Sequence, residues 1–192
     1  MGKIAIILDG SKRDDNAAHV LRELVVQEMA SLGWQVRSLP LARMHLVHCT
    51  GCFGCWIKTP GECVIKDDAH KVARDFIQSE LVVFFTPVLF GGYGPELKKA
   101  LDRMICLVSP FFMKIDGETH HQPRYAKYPI IVGIGLLPCE DPDSAQIFRR
   151  LIERNAINMH APDWAAVVLE HHRELHANRR SVQHLLRKVT TA

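Results

Sequence analysis

Five short apolar segments, separated by amphipathic helical patterns, constrain the fold more than any other feature of this sequence. The segments are nearly continuous in Val, Ile, Leu and Phe, which is typical of strands that are buried on both faces. They cover residues 3–8, 34–39, 81–86, 128–137 and 164–169. Because strand and helix alternate along the chain, we predict an α/β fold in which one doubly wound, five-stranded parallel sheet carries helices on both faces.

Apolar residues recur at helical spacing between the strand segments. These patterns predict helices over residues 17–32, 67–77, 95–105, 144–159 and 181–188. Gly33 is a natural stop for the first helix, and Asp67 or Asp68 can cap the second. Pro95 suits the first turn of the third helix, and Ser144 can cap the fourth.

The composition is that of an ordinary globular protein. The chain has 192 residues, of which 47% are apolar and 23% charged, so we expect one domain over residues 1–192 and exclude disordered and fibrous classes. The formal net charge is +3, but Lys and Arg are scattered, and no nucleic-acid partner is predicted. No apolar stretch reaches the roughly 18 residues that span a bilayer, and no signal peptide is recognisable. We therefore expect no membrane association and a cytoplasmic location.

The loop after the first strand has the residues of a phosphate site. Ligands of such sheets bind outside the carboxyl ends of the strands. Gly10 allows a tight turn, and the following helix N-terminus offers free N–H groups. The candidate phosphate-binding residues are Ser11, Arg13 and Asn16. The alternative is a solvated polar loop, which Asp14 and Asp15 favour because carboxylates repel an anion. The loop has neither a dinucleotide fingerprint nor a Walker sequence.

The loop after the third strand can carry a flat ring. It contains three glycines in four positions, Gly91, Gly92 and Gly94, which let backbone approach a ligand closely. Tyr93 can stack on such a ring. The alternative is a Gly-rich turn with a buried Tyr.

Four cysteines fall within fifteen residues with the spacing C-x2-C-x2-C-x7-C. They are Cys49, Cys52, Cys55 and Cys63. Such close spacing is typical of iron–sulfur ligation, whereas structural zinc prefers two separated C-x2-C pairs. A metal-free redox pair and a reduced structural cluster are alternatives, and disulfides are disfavoured in a reducing compartment. Cys106 lies in a helical pattern and is predicted to be core, whereas Cys139 follows the fourth strand at the ligand edge.

Two connections are unusually long: a Cys-rich loop at residues 42–66 and a loop at residues 109–127. Long loops in compact domains are usually functional or form interfaces. Phe111 and Phe112 in the second loop favour an interface between subunits, because exposed aromatic side chains are costly on a monomer. An alternative for this loop is a divalent-metal site formed by Asp116, Glu118, His120 and His121.

Three stretches together, at residues 10–13, 61–68 and 86–92, resemble the flavodoxin-like NAD(P)H-dependent FMN reductases, and the cysteine spacing is similar to that of the iron–sulfur flavoproteins. The resemblance covers roughly residues 1–137. It implies a flavodoxin-like fold with strand order 2-1-3-4-5, FMN as cofactor and a homodimer or homotetramer. The resemblance implies that the FMN phosphate is bound by Ser11, Arg13 and Asn16. It implies that the edge of the isoalloxazine ring is bound by Pro87, Val88, Leu89, Phe90 and Gly91. It also implies that a [4Fe–4S] cluster is bound by Cys49, Cys52, Cys55 and Cys63.

These features together predict an FMN-dependent oxidoreductase. NAD(P)H or a reduced carrier would supply electrons to a quinone, a flavin or a protein acceptor. No general acid–base pair stands out, which agrees with chemistry carried by a cofactor. The alternatives are an electron-transfer protein that turns over no small molecule and a regulatory protein with a degenerate site.

Overall fold

A computed structural model describes residues 3–190, which form an α/β fold around one largely parallel sheet. All five apolar segments form parallel strands, which are β1 (Lys3–Asp9), β2 (Trp34–Pro40), β3 (Leu81–Leu89), β7 (Ile130–Leu137) and β8 (Trp164–Glu170). Their spatial order in the sheet is β2-β1-β3-β7-β8. The sheet differs from the five-stranded prediction, because a sixth strand, β4 (Gly92–Tyr93), turns back and pairs antiparallel with β3.

Helices cover both faces of the sheet. They are α1 (Asn16–Ser31), α2 (Gly54–Ile57), α3 (Ala69–Gln78), α4 (Pro95–Arg103), α5 (Pro142–Asn158) and α6 (Leu175–Thr190). Side chains alternate across each strand, so Ala5 and Ile7 pack in the core under α1 and α6, whereas Ile6 and Leu8 pack in the core under α3, α4 and α5. All four of these strand residues are fully buried, as the continuous apolar run predicts.

The first residues of two helices, α5 and α6, differ from the predictions. Asp141, rather than Ser144, caps α5, since its carboxylate accepts a hydrogen bond from the Ser144 amide at 3.0 Å. Pro142 then occupies the first turn, where no backbone donor is lost. The last helix begins at Leu175, six residues before the predicted start at Ser181.

The predicted loop at residues 109–127 is mostly a two-stranded antiparallel hairpin. Its strands are β5 (Val108–Ile115) and β6 (Glu118–Pro123). Asp116 and Gly117 connect them with positive φ angles of 49° and 86°, as a two-residue type I′ turn requires. Arg154 on α5 pairs with Glu118 and ties the hairpin to the domain. Within the described part of the chain, no helix is long and apolar enough to cross a membrane.

Candidate functional site

The fold brings the loops after β1 and β3 together at the carboxyl edge of the sheet. These strands are neighbours, and the Gly10 amide donates a hydrogen bond of 2.8 Å to the Phe85 carbonyl. A Cβ on Gly10 would lie 2.8 Å from the Cβ of Leu97, so α4 packs directly against this turn. The two predicted ligand loops therefore lie side by side at this edge of the sheet.

The three predicted phosphate residues lie in different environments. Ser11 is buried, and its hydroxyl and amide donate to the Asp9 carboxylate at 2.6 and 3.0 Å. Arg13 is exposed, and its Nε donates to the Ala42 carbonyl at 2.8 Å. Asn16 is exposed and begins α1. Arg13 and Asn16 thus line an open pocket at the start of α1, whereas the Ser11 hydroxyl is engaged inside the turn.

Asp9 is a buried residue of this turn for which the sequence pattern offers no prediction. It is 3% exposed, and its carboxylate also accepts a hydrogen bond of 2.6 Å from Arg22 on α1. The pair ties the end of β1 to the first helix. A carboxylate at the last position of an otherwise apolar strand is the only local signal for it.

The loop after β3 is a tight hairpin turn whose tip points to solvent. Leu89 pairs with Gly92, so Phe90 and Gly91 form the turn, with φ angles of 50° and 79°. A Phe with a positive φ is uncommon, and such strain is concentrated at functional sites. Phe90 is 99% exposed, Leu89 is half exposed, and Val88 is buried. The turn therefore presents backbone and an unpaired aromatic ring at the ligand edge.

Tyr93 lies differently from the stacking prediction. Its ring packs edge-on against Phe84 and Phe148, and its hydroxyl accepts a hydrogen bond of 3.0 Å from Asn155. Burial raises the pKa of Tyr93 more than this hydrogen bond lowers it. Tyr93 is therefore partly buried and packs against the core, and Phe90 is the aromatic side chain at the tip of the loop.

The four cysteines of the second loop line one cavity of about 530 Å³. Cys49 and Cys52 are exposed, Cys55 is buried, and Cys63 is half-buried. Burial, followed by the charges of Cys63, Cys49 and Cys52, raises the pKa of Cys55. The Gly54 amide and the Thr50 side chain lower the pKa of Cys52. The loop thus gathers four sulfurs whose thiolates repel one another.

The four cysteines do not converge on a site for a single metal ion. Among residues 3–190, no three His, Cys, Asp or Glu side chains converge closely enough to hold a metal ion. This includes the alternative site at residues 116–121, where Glu118 pairs with Arg154 and His121 contacts the Ser109 carbonyl.

Cys106 is buried in the core, as its helical pattern predicts. Its thiol donates to the Arg103 carbonyl at 3.3 Å. Burial, followed by the charges of Cys55 and Cys63, raises the pKa of Cys106 to about 12. Cys139 is exposed after β7 and does not line the cysteine cavity. Outside the cysteine loop, Cys106 is thus a buried thiol and Cys139 a surface thiol.

A buried ion pair anchors the cysteine loop to α4. The Arg103 guanidinium makes two bonds of 2.8 and 2.9 Å to the Asp67 carboxylate, and both side chains are fully buried. It also donates to the Val47 and Ile65 carbonyls, at 2.7 and 3.0 Å. Asp67 in turn accepts from the Val47 and Ala69 amides. The pair thus joins both ends of the loop to the helix, and no local pattern predicts it, because its partners lie 36 residues apart.

Asp67 is expected to make stability depend on pH in acid. Burial raises the pKa of Asp67, but the hydrogen bonds from Arg103, Val47 and Ala69 together lower it by more. The pKa in the folded state therefore lies below its ordinary value. The stabilisation is therefore complete above the unfolded pKa of about 3.9 and is lost as pH falls through the folded pKa. Urea unfolding between pH 3 and 7 should show a smaller acid loss for Asp67→Asn than for wild type or Asp14→Asn. Equal slopes for all three proteins would contradict this prediction.

Residues 3–134 match the family described as NADPH-dependent FMN reductase, which is more than half of the chain. The chain belongs to the NADPH-dependent FMN reductase family. This match includes both ligand loops, the cysteine loop and the hairpin, and it confirms the resemblance that the sequence shows. The match ends within β7, and α5, β8 and α6 lie beyond it.

Curated proteins are similar to this chain over shorter stretches. An iron–sulfur flavoprotein of Archaeoglobus fulgidus is 29% identical over 101 residues, covering 53% of this chain and 45% of that protein. An iron–sulfur flavoprotein of Methanocaldococcus jannaschii is 29% identical over 96 residues, covering 50% of this chain and 49% of that protein. The chain thus spans about half the length of the curated relatives it matches.

Solved structures share the fold along nearly the whole chain. An NAD(P)H:quinone oxidoreductase from Methanothermobacter marburgensis superposes with a TM-score of 0.74 at 11% identity, covering 98% of this chain and all of that one. An FMN-dependent NADH-azoreductase from Bacillus anthracis, in complex with FMN, has a TM-score of 0.62 at 12% identity, with 97% and 99% covered. At these identities the likeness concerns the fold alone, and it confirms the flavodoxin-like α/β architecture.

Proposed function

We propose that this chain is an FMN-dependent oxidoreductase that takes electrons from NAD(P)H or a reduced carrier and passes them to a quinone, a flavin or a protein. One observation carries the proposal. The family match includes the loops after β1 and β3, and the fold places these loops side by side at the carboxyl edge of the sheet, where such folds bind ligands.

Two groups of residues fit FMN. Arg13 and Asn16 line the pocket at the start of α1, where the Arg13 side chain favours a phosphate, and Ser11 belongs to the same loop. The Nε bond from Arg13 to Ala42 leaves both terminal nitrogens of the guanidinium for an anion. The turn after β3 fits the edge of the isoalloxazine ring with Pro87, Val88, Leu89, Phe90 and Gly91. When bound, FMN supplies the redox chemistry, and these residues hold and orient it.

Replacing Arg13 with Ala is expected to weaken FMN binding by about 10–100-fold, because a charge-assisted hydrogen bond contributes about 1.5–3 kcal/mol. Titration of the apoprotein with FMN, followed by quenching of flavin fluorescence, measures the change. Arg150→Ala is the matched control, since Arg150 is exposed on α5 and pairs with Glu153. An Arg13→Ala affinity equal to that of the control would contradict the assignment of the phosphate loop.

We propose that the cysteine loop holds a [4Fe–4S] cluster through Cys49, Cys52, Cys55 and Cys63. Three observations support this proposal. The four cysteines line one cavity, and the charges of the other three add to burial in raising the pKa of Cys55, a repulsion that a bound cation would relieve. Curated relatives carry the name iron–sulfur flavoprotein. A bound cluster would supply one-electron transfer. It would lie close to the loop after β3, because Asn155 lines the cysteine cavity and also donates a hydrogen bond to Tyr93.

The absorption spectrum of protein purified without oxygen and supplied with FMN tests both cofactors. Flavin bands on a broad brown absorption that dithionite bleaches would support FMN with a cluster. Resolved flavin bands without the broad absorption would support FMN and exclude the cluster. A protein that stays colourless would refute both assignments. Steady-state oxidation of NAD(P)H then separates the enzyme from an electron-transfer protein, which would lack it.

The Cys55→Ser variant is expected to bind little iron after anaerobic reconstitution, whereas the wild type binds about four atoms per chain. Loss of one thiolate opens the ligand set and exposes the remaining iron. Colorimetric iron analysis gives the stoichiometry. Cys139→Ser is the control, because Cys139 is exposed outside the cavity and its loss should leave the iron content unchanged. Full iron content in Cys55→Ser would exclude Cys55 as a ligand.

We also propose that the chain forms a single domain and assembles as a homodimer or homotetramer through the hairpin at residues 109–127. The hairpin exposes three neighbouring apolar side chains, and Phe111 is 69% and Phe112 61% exposed. Tilted ring contacts connect Phe112 through His121 to Trp56, so the exposed surface continues into the wall of the cysteine cavity. Sedimentation equilibrium of wild type and of Phe111→Ser would test this assembly.

A further inference from the structure

One N–H group of Arg103 is left over after the guanidinium has bonded to Asp67 and to the two loop carbonyls. A guanidinium carries five N–H groups. Four of them are engaged by the two oxygens of Asp67 and by the carbonyls of Val47 and Ile65. The fifth, at Nε, is buried and has no partner in the described structure. A buried donor without an acceptor is costly, so this N–H indicates a missing anionic or polar partner.

Cys63 is the group beside this guanidinium. Cys63 and Arg103 together line the cysteine cavity and also a second cavity. Since the other four N–H groups are taken, Nε–H is the donor that remains for the Cys63 sulfur.

The chemistry of this donor fits the proposed cluster. A thiolate ligand keeps lone pairs that accept N–H hydrogen bonds, and such bonds raise the reduction potential because they stabilise the more negative, reduced state. The fixed positive charge of Arg103 acts in the same direction. Asp67 and the loop carbonyls hold the guanidinium rigidly, so its Nε–H is oriented before any ligand binds.

We propose that Arg103 is a positioning residue of the iron–sulfur site, whose Nε–H donates to the Cys63 sulfur and raises the reduction potential of the cluster. This inference rests on the cluster assigned under the proposed function. It differs from a purely structural role of the ion pair, which would change the stability of the loop and leave the potential unchanged.

Two variants separate these roles. Arg103→Lys keeps the positive charge next to Asp67 but has no Nε–H, whereas Asp67→Asn weakens the ion pair and keeps the Nε–H. After anaerobic reconstitution, redox titration should show a more negative cluster potential in Arg103→Lys than in wild type. Asp67→Asn should show an unchanged or more positive potential despite lower stability, because it removes a negative charge. An unchanged potential in Arg103→Lys overturns the inference.

A second measurement does not depend on either variant. Wild-type protein labelled with [15N]arginine should show a nitrogen coupling to the reduced cluster in pulsed electron paramagnetic resonance, since Arg103 is the only arginine that lines the cysteine cavity within residues 3–190. A loaded cluster without this coupling overturns the inference and leaves the proposed function intact. A wild-type protein that takes up no iron refutes the cluster and this inference together.

Discussion

Replacing Arg103 with Met is expected to lower the free energy of unfolding by about 3–5 kcal/mol, because the change leaves the buried Asp67 carboxylate without its counter-charge. It also releases the Val47 and Ile65 carbonyls, which flank the four cysteines within the loop. Both side chains of the ion pair are fully buried, so water does not compensate. Urea unfolding at pH 7, monitored by circular dichroism, measures the loss.

Two controls define the origin of this effect. Lys98→Met is a similar change on the same helix, but Lys98 and its partner Asp102 are about half exposed, so a change below about 1 kcal/mol is expected. The double variant Arg103→Met/Asp67→Asn should lose less than the sum of its single changes, since no unpaired buried charge remains. A loss in Arg103→Met no larger than in Lys98→Met would show that the pair does not anchor the loop.

Replacing Gly91 with Ala is expected to destabilise the protein by about 2–5 kcal/mol and to weaken FMN binding at least about tenfold. The φ angle of 79° is unfavourable for any residue with a Cβ. An added Cβ would also lie 2.5 Å from the Cβ of Ile147, which α5 holds in place. The turn that faces the proposed isoalloxazine site must therefore shift.

Gly117→Ala is the matched control for this variant. Gly117 has a similar φ of 86°, but no atom lies within 4 Å of an added Cβ, and the residue is in the hairpin turn rather than the flavin loop. The cost of the φ angle alone, about 1–2 kcal/mol, should appear in its stability without a change in FMN affinity. Thermal unfolding and FMN titration of both variants give the comparison. Equal FMN affinities would exclude the turn at Gly91 from the flavin site.

Short-range patterns were sufficient to predict the strands and the ligand loops. A segment such as residues 81–86 is continuous in apolar residues because both faces of β3 are covered, and this requirement is visible in the sequence itself. The same holds for the cysteines, whose spacing within one loop brings them to one cavity. The turn between β5 and β6 also has a local signal, the dipeptide Asp116-Gly117, although the sequence analysis predicts a loop there and not a hairpin.

The pairing of distant residues was decided by the tertiary structure alone. Arg103 finds Asp67 only because α4 packs against the end of the cysteine loop, and a charged residue on a helix more often faces solvent. Tyr93 turns inward because Phe84, Phe148 and Asn155 come from separate elements and form a site for its ring and hydroxyl. The sequence by itself determined which segments are buried and which loops can bind, since burial and turn geometry act over a few residues. The packing of the sheet and helices determined which side chains meet inside them, because those contacts depend on segments far apart in the chain.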